Sequence, residues 1–279
     1  MRNLSRPIHW LAGAALVCAA SFSCAGVAPE LAAAIAGPQR TPANSARDVW
    51  RHPAETLTFF GIRADMTVAE ISPGGGWYTE ILAPYLRDKG RLYAAAYVKD
   101  MTGEDGEYFR KGRLAFEAKL AAQPAVYDKV VITDFHVPDR LVLAPAGSAD
   151  AVLTFRNIHN WLRDGADGEL KVFEAAFAAL KPGGVFGVVE HRTTANVTRE
   201  EMAKSGYLTE AAVIEAAQKA GFRLEEKSEI NANPKDTHDH PEGVWTLPPS
   251  YALGDKDHAK YAAIGESDRM TMRFRKPAR

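Results

Sequence analysis

The chain has 279 residues, 46% of them hydrophobic, with 34 Lys and Arg against 35 Asp and Glu and a formal net charge of −1. This length and apolar share suit one sizeable globular domain. The balanced charge argues against electrostatic binding to nucleic acid.

At the N-terminus, Arg2 and Arg6 precede an apolar run from Leu11 to Phe22, and Ser23, Cys24 and Ala25 supply small residues for cleavage. This is a signal-peptide pattern over 1–25, with a core too short for an ordinary membrane span. It predicts an exported, periplasmic protein. The alternatives are an uncleaved anchor and lipidation of Cys24, although Ser21 stands where a lipoprotein signal usually has leucine. Both cysteines, Cys18 and Cys24, lie in this segment. The cleaved chain would therefore have neither a disulfide nor a cysteine nucleophile. Residues 26–45, rich in Ala, Pro and Gly, read as a leader or linker.

From residue 46 onward, strands and helices alternate, as in a parallel α/β sheet. A helix over 47–60 is interrupted at His52-Pro53, and a short apolar strand follows over 66–71. The next helix begins near Thr79, with Ile81, Leu82, Tyr85 and Leu86 on one face. A second strand is expected over 91–97, a helix over 108–122, a third strand over 129–133 and a fourth over 149–155. Leu170, Phe173, Phe177 and Leu180 mark a helix that ends at the turn Lys181-Pro182-Gly183-Gly184. The fifth strand, 185–190, is nearly all apolar and should be central. Thr209 caps a helix that stops at Gly221. Segments 222–230 and 269–275 read as closing strands, paired antiparallel.

Between the first strand and its helix, the chain reads Glu70-Ile71-Ser72-Pro73-Gly74-Gly75-Gly76. A glycine turn from strand to helix lets a ligand approach bare backbone, where a Cβ would block it. The spacing differs from a dinucleotide fingerprint, because Thr79 occupies the last glycine position. It resembles the first motif of class I S-adenosylmethionine-dependent methyltransferases, acidic-x-Gly-x-Gly-x-Gly, with Ser72 in place of the first glycine. The Lys-Pro-Gly-Gly turn is a habitual feature of the same family. The chain also resembles a bacterial family of exported predicted methyltransferases. The matching segments begin at Arg51 (Arg-His-Pro-Ala-Glu-Thr-Leu), Pro73, Asn231 (Asn-Ala-Asn-Pro-Lys-Asp), Val244 (Val-Trp-Thr-Leu-Pro-Pro) and Gly265 (Gly-Glu-Ser-Asp-Arg-Met-Thr). The resemblance implies a Rossmann-like seven-stranded, mostly parallel sheet with helices on both faces and the last strand antiparallel. It further implies S-adenosylmethionine as cofactor and a small-molecule or lipid-like methyl acceptor. An exported binding module that keeps the fold without catalysis is the alternative.

Ligands of open α/β sheets sit beyond the carboxyl ends of the strands, so candidate residues are sought there. The cofactor set is Glu70, Ser72, Pro73, Gly74, Gly75, Gly76, Asp134, Phe135 and Asn157. Glu70 either braces the loop or accepts from the cofactor's ammonium group. By resemblance, Asp134 would accept from the adenine amino group, with Phe135 beside the ring. Asn157 either bonds a ligand or caps a turn. The carboxylate usual after the second strand is missing at Ala95 and Ala96, and Asp100 lies too far along. The catalytic set is His159, as general base, with Glu190 and His191 orienting substrate or removing a proton. His238-Asp239-His240 has metal-ligand residue types but no obvious third ligand nearby, so no metal is expected. Trp245, Pro248 and Pro249 read as a lid.

Overall fold

The computed structural model describes residues 26–101 and 103–278; the expected signal peptide over 1–25 lies outside them. The N-terminal part holds α1 (Pro29–Ile35), α2 (Pro42–Ser45), α3 (Asp48–Arg51) and α4 (Pro53–Phe59). Then come β1 (Thr67–Ile71), α5 (Thr79–Leu86), β2 (Arg91–Tyr97), α6 (Gly103–Ala122), α7 (Pro124–Tyr127) and β3 (Val131–Phe135). The second half holds β4 (Ala149–Phe155), α8 (Ile158–Trp161), α9 (Gly168–Ala179), β5 (Leu180–His191), α10 (Arg199–Ser205), α11 (Glu210–Lys219) and β6 (Arg223–Ser228). A 3₁₀ turn (Gly243–Thr246), α12 (His258–Ile264) and β7 (Arg269–Arg275) complete the chain.

The seven strands form one sheet in the order β3-β2-β1-β4-β5-β7-β6. Pairings are parallel except that β7 runs antiparallel to both β5 and β6. This is the expected architecture. The period-2 alternation of strand side chains divides the core between the two faces. On one face Ile71, Val152 and Phe186 pack with Phe173 and Phe222. On the other, Val68, Leu153 and Val189 pack with Phe60, Ile81, Leu82 and Phe116. The chain runs outward from β1 through β2 to β3, then returns to place β4 on the other side of β1. That reversal opens a crevice at the carboxyl ends of β1 and β4.

Three expectations are corrected. Residues 29–45 are not a linker: Leu31 is 1% exposed and belongs to the second core layer. Gln39 Nε2 donates to the Glu80 carbonyl at 3.0 Å, and Arg40 pairs with the Glu80 carboxylate at 3.3 Å. The third strand is shifted to Val131–Phe135, so Asp134 and Phe135 lie within it rather than after it. The Lys-Pro-Gly-Gly turn is absorbed into an irregularity of strand pairing, with Ala149 opposite Leu180 and Ala151 opposite Val185. The break in the first helix is where it was expected. His52 takes a left-handed conformation (φ 40°), and Pro53 starts the next helix.

Candidate functional site

The glycine turn sits at the mouth of the crevice. Ser72, Gly74 and Gly76 all have positive φ, at 48°, 56° and 78°. Glycine adopts this conformation freely, while Ser72 is strained by roughly 1–2 kcal/mol. A Cβ on Gly76 would lie 3.1 Å from the Phe116 ring, so the turn is also packed closely from below. Glu70 is buried, and its Oε2 accepts from the Thr79 hydroxyl at 2.6 Å, tying the strand to the helix after the turn. Burial pushes its carboxyl up to about 7, against the hydrogen bond from Thr79. Lys119 reaches across from α6 and donates to the Gly75 carbonyl at 2.7 Å. The Ser72 hydroxyl is buried without a hydrogen-bond partner among the described residues.

Two cavities meet at this turn. One, of about 540 Å³, runs along the ends of β1 to β4 and is lined by Tyr97, Phe135, His136 and Trp161. The other, of about 420 Å³, lies over β1, β4 and β5 and is lined by Glu70, Gly74, Arg156, His159 and Glu266. Ser72, Asn157, Asn160, Tyr108 and Trp245 line both. Asn157 Nδ2 donates to the Ile71 carbonyl at 3.1 Å and so links the ends of β1 and β4. Pro248 and Pro249 border the second cavity beside Trp245.

The three catalytic candidates form one cluster at the end of β5. Glu190 is fully buried and accepts from the Ile158 N–H at 2.6 Å and the His191 N–H at 2.8 Å. His159 Nδ1 lies 3.1 Å from the same carboxylate. A carboxylate only accepts, so His159 Nδ1 carries the hydrogen of this contact. Glu190 therefore fixes the orientation of the His159 ring. His191 Nδ1 is 2.5 Å from Ser267 Oγ. Burial, with His159 and the nearby arginines, holds His191 well below the usual histidine range, so it stays neutral. One donor atom from each of His159, Glu190 and His191 lies within 4.8 Å of the others. The set nevertheless suits a cation poorly, because Glu190 is already committed to three donors and Arg156, Arg269 and Arg51 add positive charge around His191.

Behind this cluster, Glu266 gathers arginines. Arg47 Nε lies 2.5 Å from it, Arg51 Nε 3.1 Å and Arg269 Nη1 3.0 Å. Their charges hold its carboxyl down near 2, against the effect of burial. Arg156, directly after β4, also has a left-handed backbone, at φ 61°. Burial and Arg269 lower its guanidinium to about 10. Its side chain has no hydrogen-bond or ion-pair partner among the described residues, and it lines the second cavity.

Other candidates fall elsewhere. Pro73, Gly74 and Gly75 line the second cavity, and Phe135 the first. Asp134 lines neither: its side chain is 52% exposed and pairs with Arg113 at 2.8 Å. Asp100 is held at the surface by Arg140, at 2.6 Å. His238 and His240 are drawn to different carboxylates, Asp268 at 3.4 Å and Asp236 at 2.8 Å, and do not share a ligand point. Sequence reasoning missed the arginine cluster. A signal existed, since Arg51 and Glu266 lie inside two of the segments singled out in the sequence, those beginning at Arg51 and Gly265.

No protein-family model matches the chain, and no curated protein matches it. Solved structures do. A SAM-dependent methyltransferase from Aquifex aeolicus superposes with a TM-score of 0.50 at 16% identity, covering 85% of this chain and 94% of that one. The [4+2]-cyclase SpnF superposes with a TM-score of 0.51 at 17% identity, covering 89% of this chain and 92% of that one. At these identities the likeness establishes the fold.

Proposed function

We propose that this protein transfers a methyl group from S-adenosylmethionine to a small-molecule or lipid-like acceptor. The observation that carries the reading is the strained glycine turn at the β1/β4 switch point, set where two cavities meet. The cofactor would span the junction of the two cavities, its adenosine in the one along β1 to β4 beside Phe135 and its methionine part across Ser72 onto Gly74 and Gly75 at the edge of the second. Glu70 would accept from its ammonium group, and Phe135 would stand beside the adenine. The methyl group would then face the second cavity and His159. Alignment and exclusion of water would supply most of the rate, with His159 removing a proton where the acceptor has one to lose. His191 would help to shape the acceptor's place. The fold neighbour from Aquifex aeolicus is itself a SAM-dependent methyltransferase, which supports this reading.

Export is part of the proposal: the N-terminal pattern supports a periplasmic protein, either soluble after cleavage or anchored through Cys24. Among the described residues no helix is long and apolar enough to cross a membrane. Membership of the exported bacterial family rests on the matching segments alone.

A second reading has specific support. The site lacks a carboxylate after β2, where Tyr97 lines the cavity instead. A protein of similar fold, SpnF, is a [4+2]-cyclase, so the fold also serves other chemistry. An exported binding module would use the same cavities without methyl transfer. Incubation with methyl-labelled S-adenosylmethionine and small-molecule extracts separates the two. Label recovered in a new small molecule supports transfer. Saturable cofactor binding with no labelled product from any extract supports the binding module.

A further inference from the structure

Around Glu266, four guanidinium groups face one carboxylate. Arg47, Arg51 and Arg269 pair with it and Arg156 lines the same cavity, so the arginines outnumber this carboxylate by three; the other acid that Arg156 faces, Glu70, is pushed up to about 7 by burial and offsets little of that charge. Arg51 and Arg269 are buried and Arg47 and Arg156 half-buried; like charges gathered away from water repel each other, and an anion among them relieves that repulsion. Arg40, by contrast, has its own partners in Glu80 and Asp48. Arg156 is the clearest case: it is partnerless among the described residues, lines the cavity and is held there by a strained backbone. Strain at a strand end, kept to aim one side chain, is a mark of a ligand site. Arg47 adds a buried Nη2 with no acceptor. Glu266 and the Trp77 ring, 4.8 Å from its guanidinium, hold Arg51 at the same wall.

We propose that the cavity beside His159 takes an acceptor bearing a carboxylate or phosphate group, gripped by Arg156 and Arg51; this deepens and rests on the methyl-transfer reading above. The cofactor cannot supply the missing negative charge. Its carboxylate and ammonium cancel, and the sulfonium adds one more positive charge. A guanidinium matches carboxylate and phosphate through paired hydrogen bonds, so it would fix the acceptor's orientation as well as its charge. The anchored anion is not the group that reacts, because its lone pairs are engaged. A separate O–H, N–H or S–H of the acceptor gives its proton to His159 Nε2. Its electron pair would form the bond to the methyl carbon that the cofactor supplies, and the pair of the broken carbon–sulfur bond would return to sulfur. The products are the methylated anion, S-adenosylhomocysteine and a proton on His159, later lost to water.

The test is calorimetry with phenyl phosphate, its neutral counterpart phenol, and S-adenosylhomocysteine, titrated into the parent protein, Arg156→Gln and the surface control Arg140→Gln. The expected result is saturable binding of phenyl phosphate but not phenol, weakened at least about tenfold in Arg156→Gln and unchanged in Arg140→Gln. Affinity for S-adenosylhomocysteine should stay within about threefold throughout. Arg156→Gln should also melt no lower than the parent, because it removes an uncompensated charge; if it fails to fold, Arg156→Lys, expected to keep part of the affinity, replaces it. Equal binding of phenyl phosphate by the parent and Arg156→Gln would overturn the proposal. So would a parallel loss of S-adenosylhomocysteine, which would assign Arg156 to the cofactor's carboxylate. Arg156-dependent phosphate binding in a protein that ignores S-adenosylhomocysteine would support the anion site and overturn the methyl-transfer reading.

Discussion

Replacing Glu70 with glutamine should stabilise the protein, increasingly so as pH rises from about 4.5 to about 7 and by a constant amount above that. Glu70 is 2% exposed, and burial raises its carboxyl from an ordinary value of 4.5 to about 7. The folded state therefore holds the proton that the unfolded chain releases above about 4.5. Its contribution is fully present below that pH and is lost as pH rises towards 7. At ~1.4 kcal/mol per pH unit, the loss amounts to roughly 3 kcal/mol by pH 8. Glutamine does not titrate, and its carbonyl can still accept from Thr79, so Glu70→Gln escapes the loss. Urea unfolding at pH 4.5 and pH 8 would show it: little difference between parent and variant at the lower pH, and the variant ahead by up to about 3 kcal/mol at the higher. A stability difference that is the same at both pH values would refute the assignment of a raised, buried carboxyl to Glu70.

Leu31→Ala should cost about 2–4 kcal/mol in chemical unfolding, because Leu31 is buried against the core; a neutral effect would return residues 29–45 to the status of a leader. His159→Ala should leave S-adenosylhomocysteine affinity within about twofold of the parent and lower methyl transfer by roughly 10²-fold, measured with the acceptor found by label transfer. The same change at His238, outside both cavities, should leave turnover close to that of the parent.

The parts of this structure that repeat along the chain were legible in it. Apolar runs marked β1, β4 and β5, and the glycine spacing placed the turn between β1 and α5. Edge strands were harder. In β3, Val131, Ile132 and Thr133 are only half-buried and Asp134 is exposed, so no apolar run marked where the strand ends. Period-2 alternation then turns Asp134 away from Phe135 and toward Arg113. Helix α1 was hidden by its Ala-rich composition, since what holds it is one buried leucine and contacts with a helix some fifty residues away. The arginine cluster was least legible. Arg47 and Arg51 meet Glu266 across more than two hundred residues, and Arg156 comes from a third segment. No local pattern encodes that meeting; β4 and β7 must first be placed in one sheet.

The most direct test of cofactor binding at the glycine turn is calorimetric titration of S-adenosylhomocysteine into the parent and Gly75→Val. Gly75 lines the cavity and lacks a positive φ, and a Cβ there would meet no atom within 4 Å. The variant should therefore fold normally while placing bulk where the ligand meets backbone. The expected result is one-to-one binding by the parent and none by a variant with an unchanged melting temperature. Undiminished binding by Gly75→Val, or no binding by the parent, would contradict the account.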